Sequence, residues 1–238
     1  MNVLKKIANS FGYSLTRKHK TDSLKELLSL RLKYNPCDYL IDVGSNIGDF
    51  CEEYSEMFSK SFCFEPNKEL FLGLKKKFSK KNNIIINELG VGDTNEKTNF
   101  YVTNDKGKTL SSIKKQSENM SELLRNTEVV DNYEIEIVKL YDYIIKEKLI
   151  NNTFFLKTDT QGNDIEVLYG LKEFIKKVKF IKIEMPVINI YEINYKFEQI
   201  NDFMKKNLYK PLYIQHLTRS KKGELVEYDT VFEKIENS

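Results

Sequence analysis

Five acidic residues stand at or near the ends of short apolar runs: Asp42, Glu65, Asp93, Asp159 and Glu184. In open α/β sheets ligands bind outside the carboxyl ends of the strands, so acids there are the first candidates for chemistry. The run Tyr39-Leu40-Ile41-Asp42-Val43 ends in Gly44-Ser45-Asn46-Ile47-Gly48, which reads as a buried strand, a tight turn and a helix start. Gly44 and Gly48 are expected to let the backbone turn sharply and approach a ligand. Unpaired N–H groups at the helix start would favour an anionic group. Glu65 follows Gly44 by about 21 residues, the position from which a nucleotide-binding fold holds ribose hydroxyls. The turn lacks the G-x-G that lets a backbone approach a pyrophosphate. Asp42 would repel a pyrophosphate but could accept a hydrogen bond from an ammonium group. That combination suits S-adenosylmethionine better than NAD, the alternative being a strand-turn-helix with no ligand.

Methyl transfer from a sulfonium is an in-line displacement. The protein must align donor and acceptor and, for a hydroxyl, remove a proton. Asp159 is expected as the base or hydroxyl orienter, with Glu184 second. Lys157 either helps to orient the acceptor or serves as a structural ion-pair partner. Asp164 is expected to cap the helix that follows it. His216 is expected to be a packed or surface histidine rather than a base, and His19 an exposed basic residue. Asp159, Asp164 and Glu184 offer an alternative as magnesium ligands, but their spacing does not argue for it, and no metal ligand is assigned. Cys37, Cys51 and Cys63 are too few for a disulfide framework, and no C-x-x-C pair points to zinc. They fit a reducing cytoplasm.

The elements that must position these residues alternate from Asp38 onward. Strands are expected at 38–43, 61–65, 83–88, 154–159 and 178–185, with helices at 47–58, 68–79, 140–148, after Gly162, and at 197–206. Short loops between alternating elements predict a mostly parallel sheet with helices on both faces. Gly90-Val91-Gly92-Asp93 reads as a turn. Residues 94–138 interrupt the rhythm, with short strands at 99–102 and 133–138, and are expected to form an insertion covering the cofactor edge, a mobile lid over the active site. Strands at 209–217 and 226–233 around Lys221-Lys222-Gly223 predict a terminal antiparallel hairpin. Residues 1–35 read as a helical extension with a basic stretch at 17–20. Peripheral membrane contact through its first helix is weighed against simple packing.

The chain of 238 residues, 40% hydrophobic and 12% aromatic, is long and apolar enough to bury the core of one globular domain, expected at 36–238. A net charge of +3 does not point to nucleic acid. No apolar run reaches a spanning length of about 20 residues, and no secretion signal is evident.

Four segments resemble the FkbM family of S-adenosylmethionine-dependent methyltransferases. They are Ile41–Gly48, Phe64-Glu65-Pro66-Asn67, Lys157-Thr158-Asp159-Thr160-Gln161-Gly162 with Glu166-Val167-Leu168 and Gly170, and Ile183-Glu184 with Tyr191-Glu192. Ser111-Ser112, Asp142 and Tyr228-Asp229-Thr230-Val231-Phe232 also fall where similar family segments do. The resemblance implies a Rossmann-like class I methyltransferase fold, an α/β architecture with a mostly parallel seven-stranded sheet. It also implies O-methylation, often of sugar hydroxyls in glycans or secondary metabolites. Asp42, Gly44, Asn46, Gly48 and Glu65 would then hold the cofactor, with Ser45 and Pro66 in the same segments and Asp93 near the adenine. Asn163 and Thr158 depart from the residues usual there. Rival readings are an RNA methyltransferase, a non-catalytic S-adenosylmethionine-binding module in glycan assembly, and an NAD oxidoreductase.

Overall fold

The computed structural model describes residues 23–105, 107–117, 120, 127–192 and 197–235. The helix expected before Gly12, the basic stretch at 17–20, and His19 lie outside them. The chain divides into two compact units, residues 1–35 and 36–238. In the first, helix α1 (Leu24–Tyr34) starts at Ser23, whose hydroxyl accepts the Glu26 N–H. Arg31 and Lys33 in its last turn complement the negative end of the helix dipole. No described helix is long and apolar enough to cross a membrane.

The second unit is organised on β1 (Tyr39–Val43), β2 (Lys60–Phe64), β3 (Ile84–Asn87), β7 (Phe154–Thr158), β8 (Val178–Pro186), β9 (Tyr209–Arg219) and β10 (Leu225–Lys234). They form one sheet in the order β3-β2-β1-β7-β8-β10-β9. The first five run parallel, whereas β10 inserts antiparallel between β8 and β9. This is the class I methyltransferase architecture anticipated from the alternating pattern and the terminal hairpin.

Strand alternation decides which face each side chain meets. Ile41, Val43, Phe62, Phe64, Leu156 and Ile183 join the larger core with α4 (Leu140–Lys146), α5 (Asp164–Tyr169) and α6 (Phe197–Lys206). Cys63 points the other way and packs with Cys51 of α2 (Asp49–Tyr54) and Leu74 of α3 (Lys68–Lys77). Cys51 and Cys63 are therefore small core residues, and all three cysteines are free. Their sulfurs and an Asp42 oxygen lie within 4.8 Å of one another, yet Lys157 already neutralises that carboxylate.

The segment after β3 departs from expectation. Gly90–Gly92 is a strand (β4), not a turn, and pairs parallel with β6 (Val129–Lys139), which pairs antiparallel with β5 (Glu96–Thr103). A side chain at Gly90 would meet Ile137 Cδ1 at 2.3 Å, and the backbone of Gly170 packs against Gly92. The glycines that suggest a turn are there because neighbouring elements approach closely. Strands β5 and β6 exceed their expected lengths: the added residues at the start of each, Glu96–Thr98 and Val129–Asn132, are largely exposed and fall outside the apolar alternation that marks the strand centres. Residues 118–119 and 121–126 lie outside the described chain.

Candidate active site

The turn after β1 is held entirely by protein partners. The N–H groups of Gly44 and Ser45 both reach Phe64 O at 3.0 Å, and Gly48 N–H donates to Ser45 O at 2.8 Å. Asn46 N–H donates to Glu65 Oε2 at 2.7 Å, and Ile47 N–H to Asn46 Oδ1 at 2.7 Å. The N–H groups of the turn itself are thus already used, while α2, whose N-cap is Gly48, has no side-chain cap on its first N–H groups. A Cβ at Gly44, where φ is +68°, would lie 2.0 Å from Asp159 O, and one at Gly48 would lie 2.6 Å from Leu74 Cδ2. Both make room for protein neighbours, and Gly44 also borders the two hollows beside Glu65.

Glu65, just past β2, is 4% exposed. Its Oε2 takes Asn46 N–H, and its Oε1 takes Asn67 N–H at 2.8 Å. Asn67 in turn caps α3 by accepting from Glu69 and Leu70 N–H. The carboxylate is thereby oriented from both sides, and each oxygen keeps a lone pair for a further donor. Burial pushes its pKa up to about 7, against the pull of the two backbone N–H bonds.

Glu65 stands between two adjoining hollows that also share Gly44, Phe100 and Ser111. One is apolar, walled by Leu89, Val91, Ile113 and Ile137, with Pro66 at its edge. It has the chemistry to take a planar purine. The other is polar, lined by Asn46, Asn67, Thr109, Asp159 and Gln161. A diol between them would meet the Glu65 carboxylate, so these residues fit an adenosine-bearing cofactor.

Four expected cofactor residues, Asp42, Ser45, Gly48 and Asp93, line neither hollow. Asp42 is fully buried with its Oδ1 3.2 Å from Lys157 Nζ, and it lines neither hollow. Its position within β1 turns the side chain to the α2 face. Asp93 is exposed beyond the end of β4, outside both linings. Ser45 is buried and donates its hydroxyl to Asp42 O at 2.8 Å, a structural bond.

Lys157 is a buried tie between strand ends. Its ammonium donates to Val43 O at 3.2 Å and Gly44 O at 2.6 Å and lies 3.8 Å from Asp159 Oδ2. Burial opposes its charge, but Asp42 and Asp159 outweigh that and raise its pKa above the ordinary lysine value. It holds its proton and is not a base.

Asp159 reaches the polar hollow with its side chain 37% exposed. Gln161 Nε2 donates to Asp159 Oδ1 at 2.8 Å and to Glu184 Oε2 at 3.4 Å, joining the ends of β7 and β8. Gln161 has φ +55° and is itself held: Ser112 Oγ donates to its carbonyl at 2.6 Å, and Tyr191 OH to its Oε1 at 2.7 Å. The two carboxyls are pushed apart in basicity. Burial would raise Asp159, but Lys157, Lys182 and the Gln161 bond outweigh it and hold it below the usual carboxylate range. Burial and then the neighbouring Glu227, Asp159, Asp164 and Asp229 push Glu184 well above that range. Asp164 does not cap α5. It is the first helical residue, buried, and it accepts Thr158 Oγ1 at 2.7 Å and Thr160 N–H at 3.1 Å, with burial raising its pKa to about 6.

Farther along the sheet edge, buried Lys182 pairs with Asp229, whose Oδ2 also lies 2.8 Å from His216 Nδ1. His216 is 73% exposed and has φ +51° where the β9–β10 register shifts, so the bulge turns its ring onto Asp229. It is a surface histidine, as expected, but one held by a carboxylate. Sequence reading missed Gln161 and Glu227 as site residues. The Gln161-Gly162 turn was a signal for the first; nothing local marks the second.

Residues 42–211 match the family described as the methyltransferase FkbM domain. The 2-O-methyltransferase NoeI of Sinorhizobium fredii is 25% identical over 181 residues, covering 72% of this chain and 73% of that protein. The crystal structure of methyltransferase FkbM from Methylobacillus flagellatus KT superimposes with a TM-score of 0.50 at 14% identity. That alignment covers 82% of this chain but 43% of that one, so this chain spans less than half of its length.

Proposed function

The chain belongs to the FkbM family of S-adenosylmethionine-dependent methyltransferases, and on that premise we propose that it methylates a hydroxyl of a sugar in a glycan or secondary metabolite. The observation that carries this reading is that Glu65 and Asp159, from the ends of different strands, line the same polar hollow. Glu65 would accept from the ribose diol, and the apolar hollow would take the adenine. S-adenosylmethionine, when bound, supplies a methyl group activated by the sulfonium, which leaves as a neutral thioether. The NoeI relative, by its name a 2-O-methyltransferase, supports an oxygen acceptor.

Methylation of a hydroxyl would release its proton, which the chain's own carboxylates would have to take up. Ionised Asp159, pinned by Lys157 and Gln161, orients the hydroxyl by accepting its hydrogen bond. Glu184, whose raised pKa gives its anion greater basicity, receives the proton. Neither step calls for a metal ion. A titration with S-adenosylhomocysteine, using NAD as control and a Glu65→Ala variant, tests the donor side. Binding of the former alone, weakened by the substitution, is expected; tight NAD binding would overturn the reading. Transfer of labelled methyl from S-adenosylmethionine into glycan extracts, but not into RNA, tests the acceptor side.

A further inference from the structure

Beyond the polar hollow the surface opens into a groove of about 450 Å³, within the usual size range of small-ligand sites. Thr109 and Gln161 line both spaces, so the groove begins where the hollow ends. Its other wall comes from the β9–β10 hairpin, through Thr218, Arg219, Ser220 and Glu227. Apart from Thr109 and Gln161, no lining residue of the groove lines either hollow of the donor side.

The groove has two chemical ends. Leu110 and Ser220 are buried, while Gln161 and Glu227 are partly exposed. Glu227 is hydrogen-bonded to Glu184, and burial raises its pKa, with Asp159 and Asp229 adding to the effect. Carboxyl and amide groups beside a leucine side chain can read hydroxyls and the apolar face of a sugar ring together. Arg219 stands at the exposed end beside Lys221. The Arg219 guanidinium donates to Gly223 O at 3.0 Å, and among the described residues it meets no carboxylate at ion-pair distance. This chain uses lysine for most of its positive charge. A guanidinium offers what an ammonium does not, a planar fork matched to a carboxylate or a phosphate.

We infer that this groove is the acceptor subsite and that its ligand is a saccharide bearing an acidic group, a carboxylate or a phosphate, which Arg219 engages while the ring hydroxyls meet Gln161 and Glu227. The inference rests on the sugar-methylation reading and deepens it. The sugar is held with one hydroxyl turned past Gln161 toward Asp159 and Glu184, and the acidic group fixes which hydroxyl that is.

The test is a binding measurement by saturation-transfer NMR on the full chain saturated with S-adenosylhomocysteine. Glucose, glucuronate, glucose 6-phosphate and inorganic phosphate serve as probes at millimolar concentrations. At least one acidic sugar is expected to bind about fivefold more tightly than glucose and more tightly than inorganic phosphate. Comparing glucuronate with glucose 6-phosphate identifies the acidic group. Arg219→Gln is expected to remove that preference, Arg219→Lys to restore part of it, and Glu227→Gln to weaken all three sugars. None of these variants should change S-adenosylhomocysteine affinity. Equal binding of glucose, a preference surviving in Arg219→Gln, phosphate binding as tightly as the sugars, or no sugar binding would each overturn the inference. Failure of S-adenosylhomocysteine to bind would instead count against the donor-side reading.

Discussion

The donor and acceptor sides of the site are built in opposite ways. Around Glu65 one carboxylate is held by backbone N–H groups from Asn46 and Asn67, all within the β1–α2–β2 unit and the residues just after it. Around Asp159 the parts come from β7, β8, β10 and the segments carrying Ser112 and Tyr191, and side chains hold side chains. A carboxylate held by backbone N–H groups keeps its orientation whatever side chains its donors carry. Two carboxylates sharing one glutamine are not, because each charge alters the other's basicity. The donor side can therefore stay constant while the acceptor side is retuned by single substitutions.

The strongest way to break that contrast is Asp159→Asn. Methyl transfer into an acceptor extract should fall by about 10³-fold, with S-adenosylhomocysteine affinity changed only a few-fold; equal losses in both would erase the division. Glu65→Ala should do the reverse, lowering S-adenosylhomocysteine affinity by about 10²-fold in a calorimetric titration. Gly44→Ala tests the seam between the sides, since its Cβ would press on Asp159 O and its φ is +68°. A stability loss of about 3 kcal/mol is expected by denaturant titration, with both functions impaired.

Acidity sharpens the comparison further. Glu65 has its folded pKa at about 7 and its ordinary value at 4.5. Between these values the folded chain keeps a proton that the unfolded chain has lost, so this contribution stabilises at lower pH and is lost as pH rises through 7. Cofactor binding runs the other way, because only ionised Glu65 accepts from both ribose hydroxyls. S-adenosylhomocysteine affinity should therefore fall by up to about tenfold per unit as pH drops below 7, and Glu65→Gln should flatten the profile. Transfer rate should rise with pH as Glu184 ionises and lose that limb in Glu184→Gln. The smallest effect is expected from His216→Ala, about 0.5 kcal/mol in stability with donor affinity unchanged, because the ring is largely exposed.

What could be read early follows the same line. The alternation of apolar runs, the cap at Asn67 and the acid at Glu65 are local, and local patterns survive in a single sequence. Gly44 and Gly48 were recognisable as obligatory, but whether a ligand or a neighbouring strand required them depended on where Asp159 and Leu74 came to lie. Gly90 and Gly92 show the same limit: without Ile137 in view they read as a turn. Asp42 and Asp93 looked like site residues because they lie near strand ends. The phase of β1 turned the first inward to Lys157, and the chain's exit from β4 left the second in solvent.

By itself the sequence determined the parallel sheet, its terminal hairpin and the acidic residues at the strand ends, because period and spacing encode them directly. Tertiary structure decided which acids share a space. Glu227 is separated from Asp159 in sequence by β8, β9 and two α-helices, yet the insertion of β10 beside β8 brings its charge to bear on Glu184. Basicity in a buried site is set by such distances and by desolvation, and neither exists until the chain has folded.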